Sequence, residues 1–503
     1  MGYKISSKED YLEVVDKYDL VAIGETVSSD HQTSINIADR FIDEEHFFLL
    51  ESATQGPGSV ARYSFLGIGA LSRIKAEGRN IEFTKEDGTT ETAVSNPVSF
   101  VSEYISSLNV GFSGTSGIGV ETDLFMTAGA TGYISYGVSS VIEPTVGKQP
   151  KKQIGLPDVY FFIPKTFLVF DQLSQNLHVF RFIKPVSGSK KDKVKQFEAE
   201  KNNLEASVKD LKRGHLPPDL EVLESKFDFS KFKSEVDEDL FLQRVDRCLE
   251  EVKKGEVFQI QIGNRISAKT EARPFDLFRH LRKLNPSPYM FFYKFGKDHI
   301  IGSSPEIMVN LDGRKITHRP IAGTRKRTWN QETDQRMINE LTTSEKEKAE
   351  HIMLVDLGRN DIGRVALPGS VKVEELMMVE KYSHVFHMVS QVTGEVDKEF
   401  TSGDAMIVSF PNGTVSGAPK IRAMQLIAEI EDFDREFYAG SLGVFQFSGD
   451  LKSTILIRTM HVADGIASTQ ASAGVVFDSI PSEEWLETKN KMAACGVVIQ
   501  NTL

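Results

Sequence analysis

The chain has two cysteines among 503 residues. Cys248 and Cys495 stand alone among apolar neighbours. With no C-x-x-C pair and no metal-ligand spacing, they exclude a disulfide framework and a thiolate zinc site, and they suit a reducing cytoplasm. Basic charge is also short. The net charge is -12 and the sequence pI about 5.5, which argues against a nucleic-acid surface, since such a surface is basic overall. A small anionic substrate stays compatible, because a few converging N–H groups and one or two cationic side chains can bind one inside an acidic protein. No run of about 18 apolar residues occurs, so no membrane-spanning helix is expected. The N-terminus is rich in Lys, Ser, Glu and Asp and carries no signal-peptide core. Met1-Gly2-Tyr3-Lys4-Ile5-Ser6 formally fits a myristoylation pattern, but no polybasic patch accompanies it. Internal repeats are absent too.

What is present is a globular composition, 40% apolar and 26% charged. The length suggests two or more domains. Residues 1–183 read as mixed α and β, with strands expected at 47–51, 63–76, 166–171 and 177–183 from their Val, Ile, Phe and Leu content. Glycine clusters lie between them, at 111–119 and 129–137. A polar, lysine-rich connection follows over 184–237, with one exposed helix near 191–211 and then a Pro-Pro loop. From 238 to 503 the density of motifs rises. Helical periods cover 239–254, 275–284 and 331–357, and 290–295 with 299–303 predicts a hairpin.

The most informative stretch is Phe410-Pro411-Asn412-Gly413-Thr414-Val415-Ser416-Gly417-Ala418-Pro419-Lys420. Its glycines, prolines and small residues precede the apolar run 421–427. It reads as a tight loop feeding a helix, with backbone N–H groups and the Thr414 hydroxyl free to bind an anion. An ordinary loop-to-helix junction would have the same composition.

Other signals are individually weak. Glu306, in Gly302-Ser303-Ser304-Pro305-Glu306, follows a strand end and a proline, as a rigidly held general acid or as a turn glutamate. Arg319-Pro320-Ile321-Ala322-Gly323-Thr324-Arg325 reads as a pocket wall beside an anion, or as a strand and turn. Glu347 and Glu350 share a helix face, and Glu484 and Glu487 repeat the spacing. Two such faces could hold one Mg²⁺, or could simply be solvated. Either His384 or His387 could transfer protons near neutral pH, or be structural. Arg458 sits in the β-like run 455–459 and needs a partner, a ligand carboxylate or a salt bridge. The small-residue strand 471–475 lets a ligand approach its backbone.

Taken together and in order, these segments resemble the chorismate-utilising enzymes. The matching stretches are N-P-S-P-Y-M at 285–290, G-S-S-P-E at 302–306, P-I-A-G-T-R at 320–325 and A-E-H-I-M-L-V-D-L-G-R-N-D at 349–361. Y-S-H-V-F-H at 382–387, the loop at 410–420 and E-x-x-E-T-x-N-K-M at 484–492 complete the set. The resemblance implies an α/β (α+β type) fold with large, mainly antiparallel sheets and outer helices, in two domains built from interleaved segments. It implies Mg²⁺ bound by Glu350 and Glu487, with Glu347 and Glu484 nearby. It implies substrate contacts at Gln259, Ala322, Gly323, Thr414, Gly417, Tyr438, Arg458 and Gly474. Glu306 would be the acid acting on the C4 hydroxyl, with His387, not His384, and Thr324 as further catalytic groups.

Two positions separate members of the family. Those that add water carry a lysine where this chain has Gln259. Aminodeoxychorismate synthases commonly carry a nucleophilic lysine where it has Ala322. What remains is ammonia adding at C2 of chorismate, followed by pyruvate elimination, the reaction of the large subunit of anthranilate synthases. Aminodeoxychorismate synthesis and a silent chorismate- or tryptophan-binding regulator are the alternatives. Since neither cysteine lies in an amidotransferase motif, ammonia is expected from a separate glutamine amidotransferase subunit, in a hetero-oligomer in the cytoplasm. Leu49-Leu50-Glu51-Ser52 with 62–67 resembles the element that takes part in feedback binding of tryptophan. The expected site is Leu50, Glu51 and Ser52 facing Pro286, Tyr289 and Met290. Gly137, Gln261, Gly263, Lys452 and Ser472 depart from the family pattern. The usual V-V-L-S strand is here Ile260-Gln261-Ile262-Gly263, and Ser472 replaces a common glycine.

Overall fold

The computed structural model describes residues 7–52, 62–113, 122–224, 226–381 and 385–502. Its strands pair antiparallel among the described residues, apart from one parallel contact between Leu20–Ser28 and Val110–Phe112. The expected mixed architecture of a large antiparallel sheet with helices is what forms. At its centre the long Tyr63–Glu77 and Val159–Asp171 strands pair along most of their length.

The ladder runs outward from this pair in two directions. On one side His46–Glu51 pairs with both Tyr63–Glu77 and Tyr289–Phe295. Asp298–Ser304, Thr459–Ala463, Ile466–Val475 and Gln259–Lys269 then follow in order. On the other side Gly129–Ile134 pairs with Ser441–Gln446, and Leu451–Ile455, Ile307–Asp312, Lys315–His318 and Val385–Glu395 continue outward. Strands from the first and last parts of the chain thus lie side by side at two places. The Tyr289–Phe295 strand shows why its pattern is apolar throughout. Phe291, Tyr293 and Phe295 enter one apolar cluster, and Met290 and Phe292 enter another. Side chains alternate across a strand, so a strand covered on both faces must be apolar at both parities.

The 184–237 connection contains the helix Lys190–Leu211. It buries Phe197, Leu204, Val208 and Leu211 and leaves its charged face to solvent, as the charge run suggested. The stretch 331–357 is not one helix but two, Gln331–Thr343 and Glu345–Gly363. Ser344 between them is extended and its hydroxyl accepts from the Glu347 N–H at 3.3 Å, so it caps the second helix and ends the first. The 410–420 stretch feeds a helix, as expected of a tight loop, but its backbone N–H groups are not left free. It is mostly buried, with a short helical turn at Gly413–Ser416, a two-residue strand at Gly417–Ala418 and then the helix Lys420–Ile430. The Thr414 N–H is spent on the Asn412 side chain at 3.0 Å.

Candidate active site

The two far ends of the ladder meet at a cavity of about 670 Å³. One wall is the Gln259–Lys269 and Ile466–Val475 pair, which contributes Gln259, Gln261, Ser472 and Gly474. Opposite are Ile321–Lys326, with Ala322, Gly323 and Thr324, and His387 from Val385–Glu395. Glu306 enters from the link between two strands, and Thr414, Tyr438 and Arg458 from connections. The helices Glu345–Gly363 and Pro481–Gln500 bring Glu347, Glu350, Glu484 and Glu487.

Of the residues expected to touch substrate, Gly417 alone does not line this cavity. Its φ is +140°, and a Cβ there would lie 2.2 Å from the Gln259 carbonyl oxygen. Its role is close approach of two backbones, which only glycine permits. Arg319 and Arg325 do not line the cavity either. Arg319 pairs with Glu380, and Arg325 with Glu347 at 2.8 Å. The expectation concerning His384 lies outside the described residues.

Glu306 is 5% exposed, and its Oε1 is buried without a hydrogen-bond partner. Burial pushes its carboxyl up to about 8, against the nearby Thr414 hydroxyl and Ile321 N–H, which favour the charged form; the Thr414 hydroxyl itself donates to Asn412 Oδ1 at 3.1 Å. It therefore holds a proton at neutral pH, as a general acid requires. His387 is the converse. Burial, followed by smaller opposing contributions, lowers it to about 4, so the ring is neutral. Its Nδ1 lies 3.0 Å from the Thr324 hydroxyl and 3.4 Å from the Gly323 carbonyl. A carbonyl only accepts, so the tautomer that satisfies it keeps the proton on Nδ1 and leaves Nε2 as a base.

Arg458 does not lie inside a strand. It occupies the break between Leu451–Ile455 and Thr459–Ala463, with φ +51°. Such a backbone is costly for a long side chain and persists where the surroundings impose it. Among the described residues no carboxylate pairs with it, so a buried guanidinium faces the cavity with its charge available.

Burial raises Glu350, with the carboxylates of Glu347 and Glu487 adding to the effect. Glu484 is raised to about 7, mainly by burial, and its Oε2 is a buried oxygen without a partner. Glu487 pairs with Lys491 at 2.5 Å, and Glu347 with Arg325. As they stand, no three of these groups among the described residues are gathered tightly enough to hold a metal. Crowded carboxylates under mutual repulsion, one with an orphaned oxygen, are nevertheless a donor set suited to a hard divalent cation. Lys491 was not singled out from the sequence. It also donates to the Ser472 carbonyl at 2.9 Å, and its i, i+4 spacing from Glu487 was the available signal.

The segments expected to bind tryptophan are adjacent strands. Glu51 pairs with Met290 and Leu50 with Phe291. Glu51 is buried, accepts from Ser34 and Ser64, and pairs with Arg282 at 2.8 Å. The Ser52 hydroxyl is buried without a partner. Tyr289 pairs with Ser304, two residues before Glu306, and Asn285 donates to the Ser303 hydroxyl at 3.0 Å.

The chain is similar in sequence and in fold to known proteins. A family model described as chorismate binding enzyme matches residues 45–495. Anthranilate synthase component 1 of Aquifex aeolicus is 36% identical, over 98% of this chain and 97% of its own. That of Synechocystis is 39% identical, over 88% and 89%. The crystal structure of anthranilate synthase component I from Streptococcus pneumoniae is 34% identical, with a TM-score of 0.74, covering 93% of this chain and 99% of that one. The isochorismate synthase MenF of Escherichia coli, 15% identical with a TM-score of 0.70, shares the fold.

Proposed function

The chain belongs to the chorismate-binding enzymes, and on that premise we propose that it converts chorismate and ammonia to anthranilate and pyruvate, as the large subunit of an anthranilate synthase. The observation that carries this reading is Glu306. It is a carboxylic acid kept protonated at neutral pH, in the same cavity as an unpaired arginine and a neutral histidine. A protonated acid lets a hydroxyl leave as water, which a carboxylate could not do.

Arg458, with Thr414 and the Gly474 backbone, orients the substrate through its carboxylates, and Tyr438 lines the same wall. Glu306 gives its proton to the departing C4 hydroxyl as ammonia adds at C2. His387 Nε2 then takes the C2 proton as pyruvate leaves and the ring becomes aromatic. Thr324 holds the histidine ring by its contact with Nδ1. Gln259 and Ala322 favour ammonia over the alternatives, since neither supplies a deprotonated amine to activate water or a nucleophile to attack the ring. Mg²⁺, which members of this family generally use, would be held by Glu350 and Glu487 with Glu347 and Glu484 nearby. It would supply a positive charge for a substrate carboxylate.

Both cysteines are buried, and burial pushes Cys248 up to about 12 and Cys495 up to about 11. Neither is a thiolate at neutral pH, so neither suits glutamine hydrolysis. We assign that step to a separate glutaminase subunit in the same cytoplasmic assembly. Tryptophan would bind between Leu50-Glu51-Ser52 and the Pro286, Tyr289 and Met290 segment. Its contacts would reach Glu306 through the Tyr289–Ser304 pairing. The deciding experiment is to incubate the purified chain with chorismate, Mg²⁺ and an ammonium salt. Fluorescent anthranilate with equimolar pyruvate is expected, and aminodeoxychorismate or no product overturns the proposal.

A further inference from the structure

Two of the residues that depart from the family pattern meet in the cavity wall. Gly263 and Ser472 are direct cross-strand partners, as are Gln261 and Gly474. Side chains two apart on a strand share a face, so Gln259, Gln261, Ser472 and Gly474 all face the cavity. Ser472 is 2% exposed and Gln261 6%. The Ser472 hydroxyl donates to Gln261 Oε1 at 2.9 Å and stands 2.7 Å from the Tyr438 hydroxyl.

A serine has one proton to donate. Here it goes to Gln261, so the contact with Tyr438 is donated by the tyrosine. The result is a directed relay, from Tyr438 to Ser472 to Gln261. It has two consequences. The phenol proton of Tyr438 is committed to Ser472 and is not available to a ligand. The relay ends on Gln261 Nε2, whose N–H groups have no acceptor among the described residues. A Cβ on Gly474 would lie 2.7 Å from Gln261 Nε2 and 2.6 Å from Gln259 Nε2. Two primary amides thus converge on the bare backbone of Gly474, in the cavity that Arg458 faces. Donors without acceptors, beside an unpaired cation, are complementary to an anion.

We propose that the Gln261 side-chain amide binds a carboxylate of the substrate, and that Ser472 is the positioning residue that turns the amide toward it. In this chain Gln261 replaces Tyr438 as the donor to that carboxylate. This rests on the proposed use of chorismate. The strands explain why both departures are needed. Gln261 alone could present either its oxygen or its nitrogen to the cavity, and Ser472, by donating to the oxygen, fixes the nitrogen there.

The test measures chorismate dissociation constants and steady-state kinetics with ammonium on the full chain. Gln261→Val should raise the chorismate Kd and KM roughly tenfold or more, as expected for a lost hydrogen bond to a charged group, with kcat changed less than about twofold. Gln261→Glu discriminates further. It is nearly isosteric and still accepts from Ser472, so folding is kept, but it sets a negative charge against the carboxylate. It should weaken binding more than Gln261→Val does. A purely structural role predicts the opposite order. Ser472→Ala should weaken binding too, and Gln261→Val in that background should add little, since the serine acts through the glutamine. An unchanged Kd in both Gln261 variants, or a loss confined to kcat, overturns the proposal. The two readings separate cleanly. A wild type that binds chorismate and makes no anthranilate overturns the reaction but not the amide's role. A wild type that does not bind chorismate overturns both.

Discussion

Replacing Glu306 by glutamine keeps shape and removes the proton. The usual carboxyl value is 4.5, and burial moves this one to about 8. At pH 7 a group at about 8 is roughly nine-tenths protonated, whereas at the usual value only about 0.3% would be. Burial therefore raises the population of competent acid by about 300-fold at pH 7. The Glu306→Gln variant should lose roughly 10²–10⁴-fold in kcat, the range for general acid catalysis, with chorismate affinity little changed. In the wild type the raised value makes the acid form complete at low pH and lost as pH rises through about 8. Turnover should fall to about half near pH 8 and to about a tenth near pH 9. The assay is anthranilate fluorescence with Mg²⁺ and saturating chorismate. Free ammonia must be held constant by lowering total ammonium as pH rises, because ammonium increasingly deprotonates to ammonia in this range. The same shift has a stability signature. Deprotonating a buried acid is costly in the folded state only, so wild-type stability should decline between about 4.5 and 8. Glu306→Gln should not follow that decline. A variant that keeps more than a tenth of wild-type kcat, or a wild-type profile flat from pH 7 to 9 at constant free ammonia, refutes the reasoning.

Glu350→Gln or Glu487→Gln should nearly abolish turnover while leaving circular dichroism unchanged, since a hard cation loses a charged oxygen. Full wild-type activity after exhaustive chelation would contradict a metal role. His387→Met should slow pyruvate elimination more than amination, so an aminated, non-aromatic intermediate should appear by chromatography. Equal loss at both steps without that species argues against the histidine as the base. The isolated chain should use ammonium and not glutamine, and glutamine-dependent anthranilate formation by the pure chain would rule out the need for a partner. Ser52→Arg should relieve tryptophan inhibition and leave uninhibited turnover nearly unchanged, while undiminished inhibition would remove the proposed feedback site.

The elements were legible where one physical signal dominates. Alternation and apolar runs located the Tyr63–Glu77 strand and the 289–304 hairpin, and a charged face with a sparse apolar stripe located Lys190–Leu211. Failures came where tertiary contacts override composition. Nothing in the helical pattern of 331–357 marks Ser344 as a break, because serine is tolerated in helices and caps them only when a partner N–H is presented. The 410–420 stretch has the composition of an exposed loop and is mostly buried instead, because Gly417 lets it pack against the Gln259 backbone and Gly413 lets it pack against Leu357. Arg458 looked like a strand residue, since its left-handed backbone has no signature in sequence. The site residues were assembled by likeness to known motifs, not by periodicity. The Gln261–Ser472 contact spans 211 positions, and only strand register brings the two together.

One residue type does several jobs in this cavity, and environment alone divides the labour. Glu306 is packed where a hydroxyl and one backbone N–H favour its charge, and the Lys491 ammonium contributes less than either. Its cheapest state is neutral, so it keeps a proton to give. Glu347 and Glu487 are each paired with a cationic side chain, Arg325 and Lys491. Glu350 and Glu484 are intermediate, raised by burial and by their acidic neighbours, and each would be lowered by a positive charge placed among them. Arrival of a cation there would thus be coupled to release of a proton from Glu484. Glu306 would keep its own proton, because the contribution that holds it is loss of solvent and not repulsion. An acidic protein can in this way present an arginine and oriented N–H groups to a doubly anionic substrate. The acidic groups of the cavity are protonated, paired, or would be directed at a cation held among them.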